Sequence, residues 1–217
     1  MAYITLAHLV FREIAGCVNA FPFFDDDQYE RMFKNLTPDL TQAGMTICET
    51  MCDVGIIPDV THMTVDAAKQ VFAIAKNVKN RPVIVSHGAP QGKSGRQYKL
   101  NLSAETILAI RDSGGVIGVI FYDHWLLPVG TLPHTKANIG DVINAMKRIR
   151  EVAGTTECLA IGSDLEGFIH PVDGLDDVIK IRDLESALRR DGSFTEDEVD
   201  GILWKNAFRV LSMGWGA

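Results

Sequence analysis

The sequence predicts an α/β fold, a partial TIM-type (β/α) barrel of about five parallel strands with flanking helices. Three observations point there. Five short apolar runs, at residues 3–7, 56–61, 82–86, 116–121 and 158–162, recur with helix-patterned segments between them. Each run is rich in β-branched residues and apolar on both faces, which suits parallel strands covered on both sides. Most of the runs end in a His or an Asp, and the C-terminal strand edge of a parallel barrel is the face on which active sites are built. Strand–helix alternation alone leaves a doubly wound sheet open as well. No Gly-rich phosphate loop follows the first run, so nucleotide binding finds no support.

The helical segments are punctuated clearly. Residues 65–76 follow Thr64, a hydroxyl N-cap. Residues 104–113 follow Ser103, carry Glu105 in the first turn and stop at Gly114-Gly115. Residues 141–153 are closed by Gly154, and residues 36–54 form a further helix interrupted early by Pro38.

Composition narrows the function classes. With 217 residues, 47% of them apolar, the chain can bury one sizeable core, so one domain over residues 1–217 is expected. A net charge of −7 without a Lys/Arg stripe argues against nucleic acid and anionic membrane surfaces. No apolar run approaches the ~18 residues of a membrane span, so no transmembrane segment is expected. Of the cysteines, Cys48 and Cys52 share a helix face. No second Cys or His pair follows at zinc-finger spacing, so buried free thiols are expected. Met1 leads into the first apolar run without a basic leader, and together with the thiols this suggests a cytoplasmic setting.

The strand ends carry the chemistry. The runs at 3–7, 56–61, 82–86 and 158–162 are followed by His8, His62, His87 and Asp164. One such residue reads as a polar cap or as a ligand. Four on one edge of a sheet point toward a metal site, because neutral imidazole and carboxylate suit zinc and similar ions. Tyr122 and His170 lie in loops at the same edge, within reach of a ligand in the barrel mouth. His124 and His134 also lie in loops.

At these residues the chain resembles the renal-type (membrane) dipeptidase family, bacterial members best. Residues 55–64 resemble the family's G-x-x-x-D-[LV]-[ST]-H strand, residues 82–87 its P-V-I-x-[ST]-H strand, and residues 161–167 its G-[GS]-D-[FL]-[DE]-G segment. Residues 3–8 are similar to its Y-x-T-L-x-H, and residues 206–210 to its closing N-x-x-R-V. The matches keep the family order from Tyr3 to Trp215.

The resemblance implies a binuclear zinc barrel that hydrolyses dipeptides or similar small amides. It implies that His62 and His87 bind one metal, that Asp164 shuttles a proton, and that His8 helps bind the substrate or the tetrahedral intermediate. It implies that Tyr122 lines the pocket and that Asn101 belongs to an Arg–Asn pair holding the substrate. No Arg directly precedes Asn101, so Arg96 or Lys99 would have to stand in. The family's H-x-D and bridging Glu find no match. The expectation is therefore strands four to eight of an eight-strand barrel, with the N-terminal strands missing. At most one weakly held metal and little activity alone are expected, with self-association or pairing with an N-terminal part. A non-catalytic binding or assembly protein that keeps the half-barrel is the alternative.

Overall fold

Local capping decides where most of the helices start, and so where the intervening strands lie. A computed structural model describes residues 2–21, 23–34, 37–93, 98–131 and 135–215. Strand β1 (Tyr3–Thr5) leads into a long excursion containing α1 (Asp26–Met32), which opens on a capping box of Asp25 and Gln28. Helix α2 (Gln42–Val54) is N-capped by the Thr41 hydroxyl and stops at Gly55, whose φ of 86° is costly for a residue with a Cβ. Then come β2 (Ile57–Asp59), α3 (Val65–Lys79) capped by Thr64, and β3 (Val85–Gly88). The chain continues through α4 (Ala104–Asp112) capped by Ser103, β4 (Ile117–Val119), α5 (Asp123–Leu126), α6 (Ile139–Ala153) and β5 (Leu159–Ile161). Helix α7 (Ile181–Asp191) follows a 3₁₀ turn. The chain then runs through α8 (Glu196–Asp200), a π turn (Gly201–Lys205) and α9 (Asn206–Trp215) without leaving helical conformation.

The strands pair in sequence order, all parallel. β1 lies beside β2, and β3, β4 and β5 follow one another. A parallel bridge from Asp59 to Ile84 links the two groups. The result is the five-stranded arc of a partial (β/α) barrel. Buried apolar side chains from α2, α3, α4 and α6 cover its outer face, among them Met51, Val71, Ile107, Ile110 and Ile149. The strand beginnings are closed by Ile57, Ile84 and Val116 packing against Val210 of α9.

Three differences from the sequence reading have physical causes. The 36–54 helix begins only at Gln42, because Thr41 is the residue whose hydroxyl accepts from a first-turn N–H. Residues 3–7 do not behave as a strand buried on both faces. Tyr3 is 43% exposed and Ile4 is half-buried, since among the described residues β1 has only β2 beside it. The helices after β5 escaped notice, although Thr195 and Glu198 form a capping box that marks the start of α8. At the other sheet edge, the Asn206 side chain of α9 donates to the carbonyls of Thr156 and Leu159, both at 2.9 Å, so one outward-facing carbonyl of β5 is satisfied. All four cysteines are buried thiols outside any disulfide, as expected.

Candidate active site

The four strand-end residues meet at the C-terminal edge of the arc. Two of them depend on unusual backbone. His62 and Asp164 have φ of 67° and 57°, the left-handed region that costs a non-glycine residue of order 1–3 kcal/mol. Leu9, directly after His8, has φ of 50°. Such conformations cluster at functional sites, and here each turns a strand end sharply over the mouth. His87 is aimed differently. The β3–β4 register shifts between Val85 and Gly88, and the bulge at Ser86–His87 bends the strand.

The imidazoles of His62 and His87 converge. Their Nε2 atoms are 3.1 Å apart, and the rings are edge-on with centroids 5.1 Å apart. His8 packs against His62 with centroids 4.9 Å apart. Trp125 of α5 stacks on His87 at 6.2 Å and 18°, and meets His62 edge-on. Burial, then the neighbouring His87 and His8, hold the His62 imidazole well below the usual histidine range. Burial also lowers His87, against the opposing pull of the Asp164 and Asp59 carboxylates. Both rings therefore carry free lone pairs at neutral pH, the form in which imidazole binds metals.

Above this cluster opens a cavity of about 910 Å³. His8, His62 and Asp164 lie on its wall together with Tyr122 and His170. Burial, with Asp123 and Tyr98, pushes the Tyr122 phenol up to about 12, so it stays a hydrogen-bond donor at neutral pH. Aromatic side chains line much of the remainder, including Phe21, Phe23, Trp125 and the almost fully exposed Phe168. His124 also reaches it, its ring 4.6 Å from that of Tyr98.

Asn101 is not brought to this cavity. It is buried, donates its amide to the Trp125 carbonyl at 2.9 Å, and lines a separate cavity of about 200 Å³. Trp125 in turn lines the larger cavity. Lys99 is drawn away by Asp26 at 3.3 Å. Arg96 and His134 lie outside the described residues. Among the described residues, no group of three or more His, Cys, Asp and Glu side chains converges as a metal cage.

Sequence reasoning overlooked Trp125, Asp59 and the pair Gly118 and Gly162. Asp59 is a fully buried carboxylate whose charge acts on the His87 ring. Its signal was available, as an Asp inside an otherwise apolar strand. Gly118 also stands inside a strand pattern, where a glycine marks close backbone approach.

Residues 2–213 match the sequence profile of the membrane dipeptidases, peptidase family M19. This chain belongs to the membrane dipeptidase family. It is 29% identical over 209 residues to an uncharacterized dipeptidase of Schizosaccharomyces pombe, a match covering 96% of this chain and 45% of that protein. Two crystal structures share the fold. The probable dipeptidase PvdM from Pseudomonas aeruginosa superposes with a TM-score of 0.79 at 22% identity, covering 99% of this chain and 62% of that one. The metallo peptidase described as dipeptidase AC superposes with a TM-score of 0.76 at 21% identity, covering 94% and 55%. The chain thus spans about half the length of the relatives it matches. Among the described residues, no helix is long and apolar enough to cross a membrane.

Proposed function

We propose that this chain carries the metal-binding imidazole pair and the proton-transfer carboxylate of a hydrolase acting on dipeptides or similar small amides. The observation that carries the reading is the 3.1 Å approach of the His62 and His87 Nε2 atoms beside a 910 Å³ cavity. Two nitrogens at that separation can share one zinc ion, whose bonds to imidazole are ~2.0–2.1 Å long. A bound zinc ion would polarise the scissile carbonyl and lower the pKa of water.

The chain's own groups have the following roles in this reading. The Asp164 carboxylate takes the proton of the attacking water and hands it to the leaving amine. His8, exposed at the mouth, donates to the oxygen on which negative charge develops. The Tyr122 hydroxyl and the His170 ring orient the substrate. The aromatic wall accepts apolar side chains of the substrate. Two imidazoles make an incomplete site, so turnover by this chain alone is expected to be slow. The outer edge of β1 and the remaining free edge of β5 would favour pairing with further strands, from a second copy or another polypeptide.

The test is a zinc-supplemented assay of the purified chain with unmodified dipeptides, following binding by calorimetry and amino-acid release in parallel. The expected result is saturable dipeptide binding with slow, chelator-sensitive hydrolysis. Asp164→Asn should abolish that hydrolysis while retaining binding. A chain with neither saturable binding nor hydrolysis would not be a dipeptidase component of this kind.

A further inference from the structure

Asp59 is wired to His87. Its carboxylate is fully buried, which is costly unless every oxygen is satisfied. Oδ1 accepts from the Thr61 N–H at 3.0 Å, the Thr61 hydroxyl at 2.6 Å and the Ser86 N–H at 3.0 Å. Oδ2 accepts from the Thr5 hydroxyl at 2.7 Å. These donors come from β1, the end of β2 and β3. The network then extends toward the mouth. Ser86 Oγ lies 3.2 Å from Thr61 Oγ1 and 3.0 Å from His87 Nδ1.

Counting protons gives this chain a direction. A hydroxyl has one hydrogen to donate and two lone pairs to accept with. The Thr61 hydrogen goes to Asp59, so Thr61 Oγ1 can only accept from the Ser86 hydroxyl. It also accepts from the Ser86 N–H at 2.9 Å, which fills its second lone pair. The Ser86 hydrogen is thereby used, so Ser86 Oγ can only accept from His87 Nδ1. A neutral imidazole carries one ring proton. In His87 that proton is on Nδ1, and the lone pair is on Nε2, the atom facing His62.

We propose that Asp59 is a positioning residue that acts through Thr61 and Ser86 to hold His87 as the Nδ1–H tautomer, with its Nε2 lone pair presented to the barrel mouth. Asp59 touches neither cavity nor substrate. It does for His87 what a carboxylate beside a metal-bound histidine does directly, with two hydroxyls interposed. His62 has no such support, since among the described residues its buried Nδ1 has no hydrogen-bond partner. The two imidazoles are therefore unequal, His87 being preorganised and His62 adaptable. The tautomer assignment stands apart from the proposed function, and only its consequence for metal affinity rests on that reading.

Nitrogen NMR of the histidine rings in the metal-free chain tests it. Wild type should show His87 protonated on Nδ1 and bare on Nε2. In Thr61→Val the Ser86 hydroxyl loses its acceptor and turns its hydrogen toward His87. The ring should then invert to Nε2–H, while the near-isosteric valine keeps the fold. Asp59→Asn, whose side-chain oxygen can still accept from Thr61 while its amide faces Thr5, should retain the wild-type tautomer. Zinc affinity should fall by about 10–100-fold in Thr61→Val and much less in Asp59→Asn. An Nε2–H His87 in wild type, or an unchanged tautomer in folded Thr61→Val, overturns the proposal. A tautomer that inverts as expected in a chain that binds no zinc at all leaves the positioning role intact and removes the metal reading instead.

Discussion

Gly162→Ala is expected to destabilise the chain by about 3 kcal/mol or more, the upper range for overpacking, and to break the His62–His87 pair. A Cβ at residue 162 would stand 2.0 Å from the Ser86 carbonyl oxygen and 2.8 Å from the Gly118 Cα. Both obstacles are backbone, so no side chain can rotate out of the way. Gly118→Ala meets the same carbonyl at 2.1 Å. The bulge at Ser86–His87 pushes that carbonyl toward the neighbouring strands, and two glycines on β4 and just after β5 make room for it. For a chain of this size the loss corresponds to a fall in melting temperature of roughly 6–12 °C. Because both alanines displace one carbonyl, the double variant should cost less than the sum of the two singles. Thermal melts of the three variants check this. Additive or negligible losses would mean that β3 does not lean on those glycines.

The same glycines show what the sequence revealed and what it concealed. Period and punctuation exposed the helices whose caps are local, because Thr64, Ser103 and Gly154 act within one turn of the backbone. They also placed His8, His62, His87 and Asp164 at strand ends, since a strand that stops at a polar residue looks the same in sequence and in space. The bulge at Ser86–His87 is invisible in sequence, because it is a property of two strands and their relative register. The left-handed turns at His62 and Asp164 leave only a faint signature, since Asp and His are enriched at positive φ but most of them adopt ordinary backbone. Asn101 was misleading for a related reason. The family resemblance placed it beside the substrate, but its amide is held by Trp125, 24 residues away. Tyr3 misled in the opposite direction, since apolar composition cannot say that a strand will lie at an edge.

His62→Ala is expected to abolish measurable zinc binding by the isolated chain while leaving the fold intact. His62 and His87 are the converging nitrogens, and removing one leaves a single imidazole, far short of the three or four protein ligands that zinc sites use. The ring borders a 910 Å³ cavity, so its loss opens no sealed void in the core. Alanine does incur strain at a φ of 67°, and His62→Asn, which tolerates that conformation better, separates strain from ligand loss. Both variants should lose the metal, and only the alanine should lose some stability. Wild type should bind one zinc per chain and release it readily to chelator, because no third ligand side chain converges on the pair among the described residues. The acid side of the binding curve gives a further check. Ordinary histidines near 6.5 would surrender zinc roughly tenfold per ligand for each pH unit below that value. Burial lowers both His62 and His87, so their lone pairs remain available further into acid, and affinity should fall less steeply than that between pH 7.5 and 6. Zinc titrations across that range decide the matter. A steep loss already at pH 6.5 would mean the rings are solvated and not buried as a pair. Two tightly held ions per chain would require ligands beyond His62 and His87.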